Sequence, residues 1–240
     1  MPTTKYMAIY KSLKERIHAG EFPQGSLLPS EYSLVEEYDC SRNTVRRAIS
    51  QLSDDGYVQS VHGKGVVVIW IPERQSLFST TTIESMREAA SRNGMHYTTK
   101  VILFEEDVIN KAMSLRTGFA IGTRVWVIKR IRYLNDEPLI IDTNWLDRNI
   151  VEEFTVQQAE DSLYDYLEKV LGIHIVTSLR KLTVDRCTAE DRQYMDLRNY
   201  NCVALVCSRT FNDEGVQFEY TESRHRPDRF VFYSQAKRTQ

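Results

Sequence analysis

Apolar side chains recur at helical spacing from the start of the chain. Tyr6, Ile9, Tyr10, Leu13 and Ile17 form one stripe, with Lys, Glu and Arg opposite, which predicts a helix over residues 6–19 that Gly20 ends. Pro29-Ser30 opens a second helix that buries Leu34, Val35 and Tyr38 and stops at Asp39-Cys40. Ser41 is placed to cap a third, in which Val45, Ala48, Ile49 and Leu52 make the inner stripe. Asp54-Asp55-Gly56 ends that helix. A hairpin pattern follows, with a strand at 57–61, the turn His62-Gly63-Lys64-Gly65 and a strand at 66–69. Periodicity then fades around Pro72, which marks a linker over 72–78 between a first domain, 1–71, and a second, 79–240.

The second domain alternates strand-like runs with short helical ones. Helices are predicted near 82–92, 107–115, 161–171 and 188–196, and strands near 97–105, 123–134, 138–146, 175–186, 202–211, 216–224 and 229–235. Hairpins alternating with helices indicate an antiparallel sheet covered by helices, so the whole chain reads as α+β. Two of the hairpins echo one another. Aligning the turns Asn135-Asp136-Glu137-Pro138 and Asn212-Asp213-Glu214-Gly215 matches Arg132 with Arg209 and Asp142 with Glu219. Such a repeat suits either a pseudo-symmetric polar pocket or two ordinary hairpins with cross-strand ion pairs.

Composition narrows the class. The chain has 240 residues, 42% of them apolar and 27% charged, enough for two folded cores. No run of 18 apolar residues occurs, so no membrane span is expected, and the N-terminus lacks the layout of a signal peptide. The four cysteines show neither Cys-x-x-Cys spacing nor histidines at metal spacing, which fits reduced thiols in a cytoplasmic protein without a metal. The net charge of −2 does not advertise a nucleic-acid binder, and residues 1–74 hold nine cations against nine acids. The asymmetry is local. Glu31, Glu36, Glu37 and Asp39 cluster in one place, while Arg42, Arg46, Arg47 and Lys64 gather on another surface.

That basic surface carries recognition chemistry. The outer face of the third helix presents Arg42, Asn43, Arg46, Arg47 and Ser50, and two helices joined by a short turn with a basic leading end can enter a major groove. Arg fits guanine O6 and N7, Asn fits adenine, and Ser or Thr takes a phosphate oxygen. A solvated face on an ordinary helical core is the competing reading. In the second domain, period two puts Trp126, Ile128, Arg130 and Arg132 on one sheet face. Two buried arginines call for an anion, and forked guanidinium groups suit phosphate or carboxylate oxygens. Hydroxyls at Thr80-Thr81-Thr82, Ser162 and Tyr164 suit the same anion, and Glu219, Glu222 and His225 suit sugar hydroxyls, although a lone His is as compatible with a structural role. No Gly-x-Ser-x-Gly, phosphate loop or metal set points to an enzyme.

Leu28-Pro29-Ser30-Glu31, Ser41-Arg42-Asn43-Thr44-Val45-Arg46 and Gly63-Lys64-Gly65 resemble the winged helix-turn-helix of GntR-type bacterial transcription regulators, with Tyr32 where the family often has Arg. The resemblance implies DNA contacts from Ser30, Glu31, Ser41, Arg42, Asn43, Thr44, Arg46, Arg47 and the wing tip His62, Gly63, Lys64 and Gly65. From about residue 79 the chain is similar to the UTRA effector-binding domain of HutC-type members, which shares the chorismate lyase fold. There the resemblance implies a phosphate held by Thr81 or Thr82, Arg130, Arg132, Ser162 and Tyr164. Sugar-facing groups would be Asp142 (where Glu is commoner), Glu219 and His225 (where Tyr is usual). The tail Tyr-Thr-Glu-Ser-Arg-His-Arg and the run Leu182–Arg192 are most like the branch that controls trehalose operons. The resemblance thus implies a cytoplasmic homodimeric repressor of a sugar operon, bound to operator DNA and released by trehalose 6-phosphate. N-acetylglucosamine 6-phosphate or another small anion is the alternative effector, and a lyase-like enzyme is the remote one.

Overall fold

The computed structural model describes residues 4–71 and 82–232, which fall into two compact units, each with its own core. The predicted linker, Thr81 and the last eight residues lie outside them.

In the first unit, α1 (Lys5–His18), α2 (Glu31–Glu37) and α3 (Arg42–Asp54) enclose Ile9, Leu13, Ile17, Leu34, Val45, Ala48 and Leu52, and the hairpin β1 (Val58–Val61) and β2 (Gly65–Val68) closes this core with Val58 and Val68. The helix starts are those the serines predict. Ser30 Oγ accepts from the Ser33 amide at 3.1 Å and Ser41 Oγ from the Thr44 amide at 3.3 Å, satisfying amides that a helix start leaves open. Between α2 and α3 the chain reverses through Asp39, whose φ of 44° is left-handed. Trp70, at the fading end of the pattern, stacks on His18 with ring centres 4.7 Å apart and packs on this core.

The second unit is a six-stranded antiparallel sheet in the order β3-β4-β5-β8-β7-β6. Its strands are β3 (Tyr97–Val108), β4 (Arg124–Leu134), β5 (Glu137–Asp147), β6 (Ile175–Arg186), β7 (Cys202–Asn212) and β8 (Gln217–His225). The order is a palindrome of two similar halves, each a long strand, a short helix and a hairpin, joined along β5 and β8. One face carries Ile128, Leu146 and Phe218, packed against α6 (Val156–Glu160) and α7 (Leu163–Asp165). The other carries Val125, Val127, Trp145 and Tyr220, packed with Phe119, which follows α5 (Lys111–Thr117). Helices α4 (Met86–Arg92) and α8 (Ala189–Tyr194) complete the set.

Several boundaries differ from the expectation. The helix predicted from residue 82 starts at Met86, because Ser85 and Glu88 form a reciprocal capping box there. The helix predicted at 107–115 is displaced to Lys111–Thr117, since β3 runs on to Val108 and Asn110 supplies the cap. The single helix expected at 161–171 is α7 followed by one wide turn over Tyr166–Val170, and α6 before it was not foreseen. Pro227–Arg229 is a 3₁₀ turn where the last strand was expected to begin. Leu52 is fully buried beneath α1 and the hairpin; Leu52→Ala should destabilise the first unit by about 2–5 kcal/mol, measurable by urea unfolding.

Candidate functional site

Two surfaces carry the sequence-predicted residues. On the first unit, Arg42, Asn43 and Arg46 project from the first two turns of α3 and are exposed, while His62, Gly63, Lys64 and Gly65 form the exposed tip of the β1–β2 hairpin. Gly63 and Gly65 have φ of 72° and 115°, which only glycine adopts without strain. Ser30 and Ser41 spend their hydroxyls on the helix caps, and the Thr44 hydroxyl lies 2.9 Å from that of Ser41. Arg46 donates from Nε to both Glu31 oxygens, at 3.0 and 2.9 Å, so α2 orients the side chain α3 would use. Arg47 lies with its guanidinium 3.9 Å over the Tyr6 ring, drawn toward α1.

On the second unit, the sheet register assembles a cavity. Arg130, Asp142, Ser223 and Val206 lie in one row across β4, β5, β8 and β7. Asn144, Thr221, Ser208 and Arg180 make the next row, and Glu219 lies one step beyond. These residues line a cavity of about 150 Å³ with Ser162, Tyr164, His225 and Phe230. That is roughly ten times the space one water needs, so it suits an organic ligand.

The polar groups are tightly organised. Arg132 donates from Nε to Asp142 at 2.9 Å and from Nη1 to the Thr99 hydroxyl at 2.7 Å. Arg130, only 2% exposed, donates to the Ala159 carbonyl at 3.2 Å and to Asn144 Oδ1 at 2.8 Å, and its buried Nε has no partner among the described residues. Burial, and after it repulsion from Arg132, lowers the Arg130 pKa to about 9, so it stays charged at neutral pH. Asn144 Nδ2 donates to Glu219 at 2.7 Å and to the Thr221 hydroxyl at 2.9 Å, and the Tyr164 hydroxyl donates to the other Glu219 oxygen at 2.9 Å. Burial and the neighbouring Glu219 push the Tyr164 pKa well up, which keeps it a neutral donor. Burial alone would raise the Asp142 carboxyl; the Arg132 and Arg130 guanidinium groups more than reverse this and hold it below its ordinary value.

Three expectations change. Glu222 is on the opposite sheet face, where it pairs with Arg116 and accepts from the Tyr220 hydroxyl at 2.8 Å; period two along β8 sends Glu219, Thr221, Ser223 and His225 inward and Glu222 outward. Thr82 is exposed and does not line the cavity, although its carbonyl accepts from Arg180 Nη2 at 3.2 Å. Arg209, the echo of Arg132, also points to the far face, donating to the Arg116 carbonyl at 3.2 Å. The first hairpin turns through two left-handed residues, Asn135 and Asp136, and the second through Asp213, Glu214 and Gly215. One extra loop residue inverts the inward and outward positions of one strand relative to its partner. Asn144, Ser178, Arg180 and Ser208 also line the cavity, and the signal for them is their cavity-facing parity on the strands.

A family model described as "UTRA domain" matches residues 92–231, and one described as "Bacterial regulatory proteins, gntR family" matches residues 5–68. The chain belongs to the GntR family, in its HutC branch. The regulator is 33% identical to the HTH-type transcriptional regulator TreR of Bacillus subtilis over 238 residues, 99% of each chain. It is 27% identical to the HTH-type transcriptional repressor NagR of the same organism, covering 96% of this chain and 94% of the relative. Among solved structures, the possible transcriptional regulator YydK of B. subtilis superposes with a TM-score of 0.81 at 21% identity, covering 98% and 100% of the two chains. The effector-binding domain of the B. subtilis trehalose repressor superposes with a TM-score of 0.53 at 31% identity, over 60% of this chain and 99% of that one. TreR and NagR are both transcriptional regulators. No described helix is long and apolar enough to cross a membrane.

Burial lowers the His225 pKa from 6.5 to about 4, with Asp142 opposing the shift. The unfolded chain therefore takes up this proton first as pH falls, so the stability His225 contributes is full above about pH 6.5 and is lost toward pH 4. His225→Gln should remove about 3 kcal/mol of that pH dependence from urea unfolding of the second unit.

Proposed function

We propose that the regulator is a homodimeric repressor of a sugar-utilisation operon, released from a two-fold symmetric operator by a phosphosugar, first of all trehalose 6-phosphate. The observation that carries this reading is Arg130, a buried charged guanidinium that lines the cavity and meets only neutral acceptors, the Ala159 carbonyl and Asn144 Oδ1, among the described residues. A cation in that setting favours an anion with several oxygens. Arg132 and the Ser162 hydroxyl stand beside it for the same oxygens, while Asp142, Glu219 and His225 suit sugar hydroxyls. The 33% identity to TreR over nearly the full chain supports trehalose 6-phosphate above other sugar phosphates.

On the first unit, Arg42, Asn43 and Arg46 read base edges in the major groove, Arg47 and Thr44 take backbone oxygens, and Lys64 at the hairpin tip neutralises a phosphate. Inducer and operator are linked: the sugar weakens DNA binding only by the ratio of its affinities for the two states, and DNA weakens sugar binding by the same factor. A tenfold release corresponds to about 1.4 kcal/mol of coupling.

Calorimetry against a panel of sugar phosphates, paired with operator-release assays, tests the effector. Trehalose 6-phosphate should bind and dissociate the DNA complex, and its failure to do either removes it as inducer. Arg130→Gln should keep operator affinity and lose the response to the sugar; a variant still released by sugar contradicts the assignment. Arg46→Ala should weaken operator binding by roughly 1–3 kcal/mol in a gel-shift titration.

A further inference from the structure

The cavity holds two cation–carboxylate pairs, and they are built differently. Arg132 meets Asp142 directly, Nε to Oδ2 at 2.9 Å. Arg130 and Glu219 are instead separated by one amide, with Asn144 Oδ1 accepting from Arg130 Nη2 at 2.8 Å and Asn144 Nδ2 donating to Glu219 Oε1 at 2.7 Å. The amide can stand only this way round. A guanidinium only donates and a carboxylate only accepts, so the oxygen must face Arg130 and the nitrogen Glu219. All three side chains are buried, at 2%, 2% and 1% exposure. With so little water present, a guanidinium and a carboxylate placed this near would close on each other unless something were wedged between them.

We propose that Asn144 is a positioning residue, a neutral spacer that keeps Arg130 and Glu219 from forming a direct ion pair. It thereby leaves the Arg130 charge uncompensated by a carboxylate and available to a tetrahedral dianion, and leaves Glu219 with open lone pairs for hydroxyl donors. The inference rests on the anion-binding reading of the cavity and deepens it. Arg132 is paired with a carboxylate, whereas the spaced Arg130 meets only neutral acceptors, the Ala159 carbonyl and the Asn144 amide, among the described residues. The spacer occupies the middle of the sheet face: Asn144 pairs with Ile128 on β4 and with Thr221 on β8, and Thr221 takes the second hydrogen of the same amide at 2.9 Å.

Asn144→Asp tests the idea with little change of shape. The new carboxylate keeps an acceptor against Arg130, neutralises it, and replaces a donor to Glu219 with a like charge. The charged and titratable groups lining the cavity with it are Arg130, Glu219, Tyr164, Asp142, Arg132, Arg180 and His225, with Glu84, Arg87, Tyr97 and Asp161. Of these, the Asp142 and His225 shifts lie toward lower pH and those of Arg130 and Tyr164 keep both protonated near neutrality. Sulfate is the probe, since its charge does not change over the range used. In calorimetry on the full chain, the unaltered protein should bind sulfate with one affinity from pH 5.5 to 8. Asn144→Asp should bind at least tenfold more weakly at pH 8 and recover toward pH 5.5, as one of the two crowded carboxylates takes up a proton. Asn144→Leu, of similar size but without polar atoms, should lose sulfate affinity at every pH. Sulfate binding by Asn144→Asp that matches the unaltered protein, or is weak without recovery, overturns the spacer role, as does full affinity in Asn144→Leu. An unaltered protein that binds neither sulfate nor any sugar phosphate overturns the anion reading and the spacer with it.

Discussion

A guanidinium withdrawn from water must be met by acceptors or by opposite charge, and the second unit is arranged around that requirement at Arg130. Its strand, β4, lies inside the sheet, with α6 and α7 covering the face it points to. The Ala159 carbonyl and Asn144 supply two neutral acceptors, and no carboxylate among the described residues pairs with Arg130. A protein that only needed stability would gain by replacing such a group with an apolar one. Keeping it makes sense when a ligand completes the set.

The palindromic sheet explains how the rest of the site comes together. Each half is a long strand, a short helix and a hairpin, and the halves meet along β5 and β8. The carboxylates sit on those two central strands, Asp142 on one and Glu219 on the other, while the cations flank them, Arg130 and Arg132 on β4 and Arg180 on β6. The halves are not copies in their chemistry. The three-residue loop of the second hairpin turns Arg209 away from the cavity and leaves Ser208 and Thr210 on the inward side. One half thus brings a pair of arginines, and the other brings mostly hydroxyls.

Much of this was legible in advance, for identifiable reasons. The cap serines, the buried stripe of α3 and the cavity-facing arginines of β4 follow from spacing alone, because those stretches are regular and one face of each is apolar. Glu222 was misplaced because carboxylates near Glu219 were grouped by chemistry, when strict alternation already sent it outward. Asn144 has the same parity as Asp142 and escaped notice because a neutral amide announces nothing without its neighbours. The facing of Arg209 depended on a single residue in a loop, which no strand pattern contains. α6 was missed for a different reason: it is five residues long, and its signal was the Thr155–Gln158 capping box rather than any apolar stripe.

The contact between Arg46 and Glu31 has a consequence of its own. The Arg46 side chain, exposed on α3, is held at its Nε by a carboxylate on the preceding helix. Under the proposed reading, the edge of the guanidinium that carries Nη1 and Nη2 is left to face DNA while Glu31 holds the other. A guanine presents two acceptors to such an edge. Glu31 thus fixes the direction in which the Arg46 guanidinium leaves α3, which shortens the list of shapes the side chain must give up when it meets a base edge.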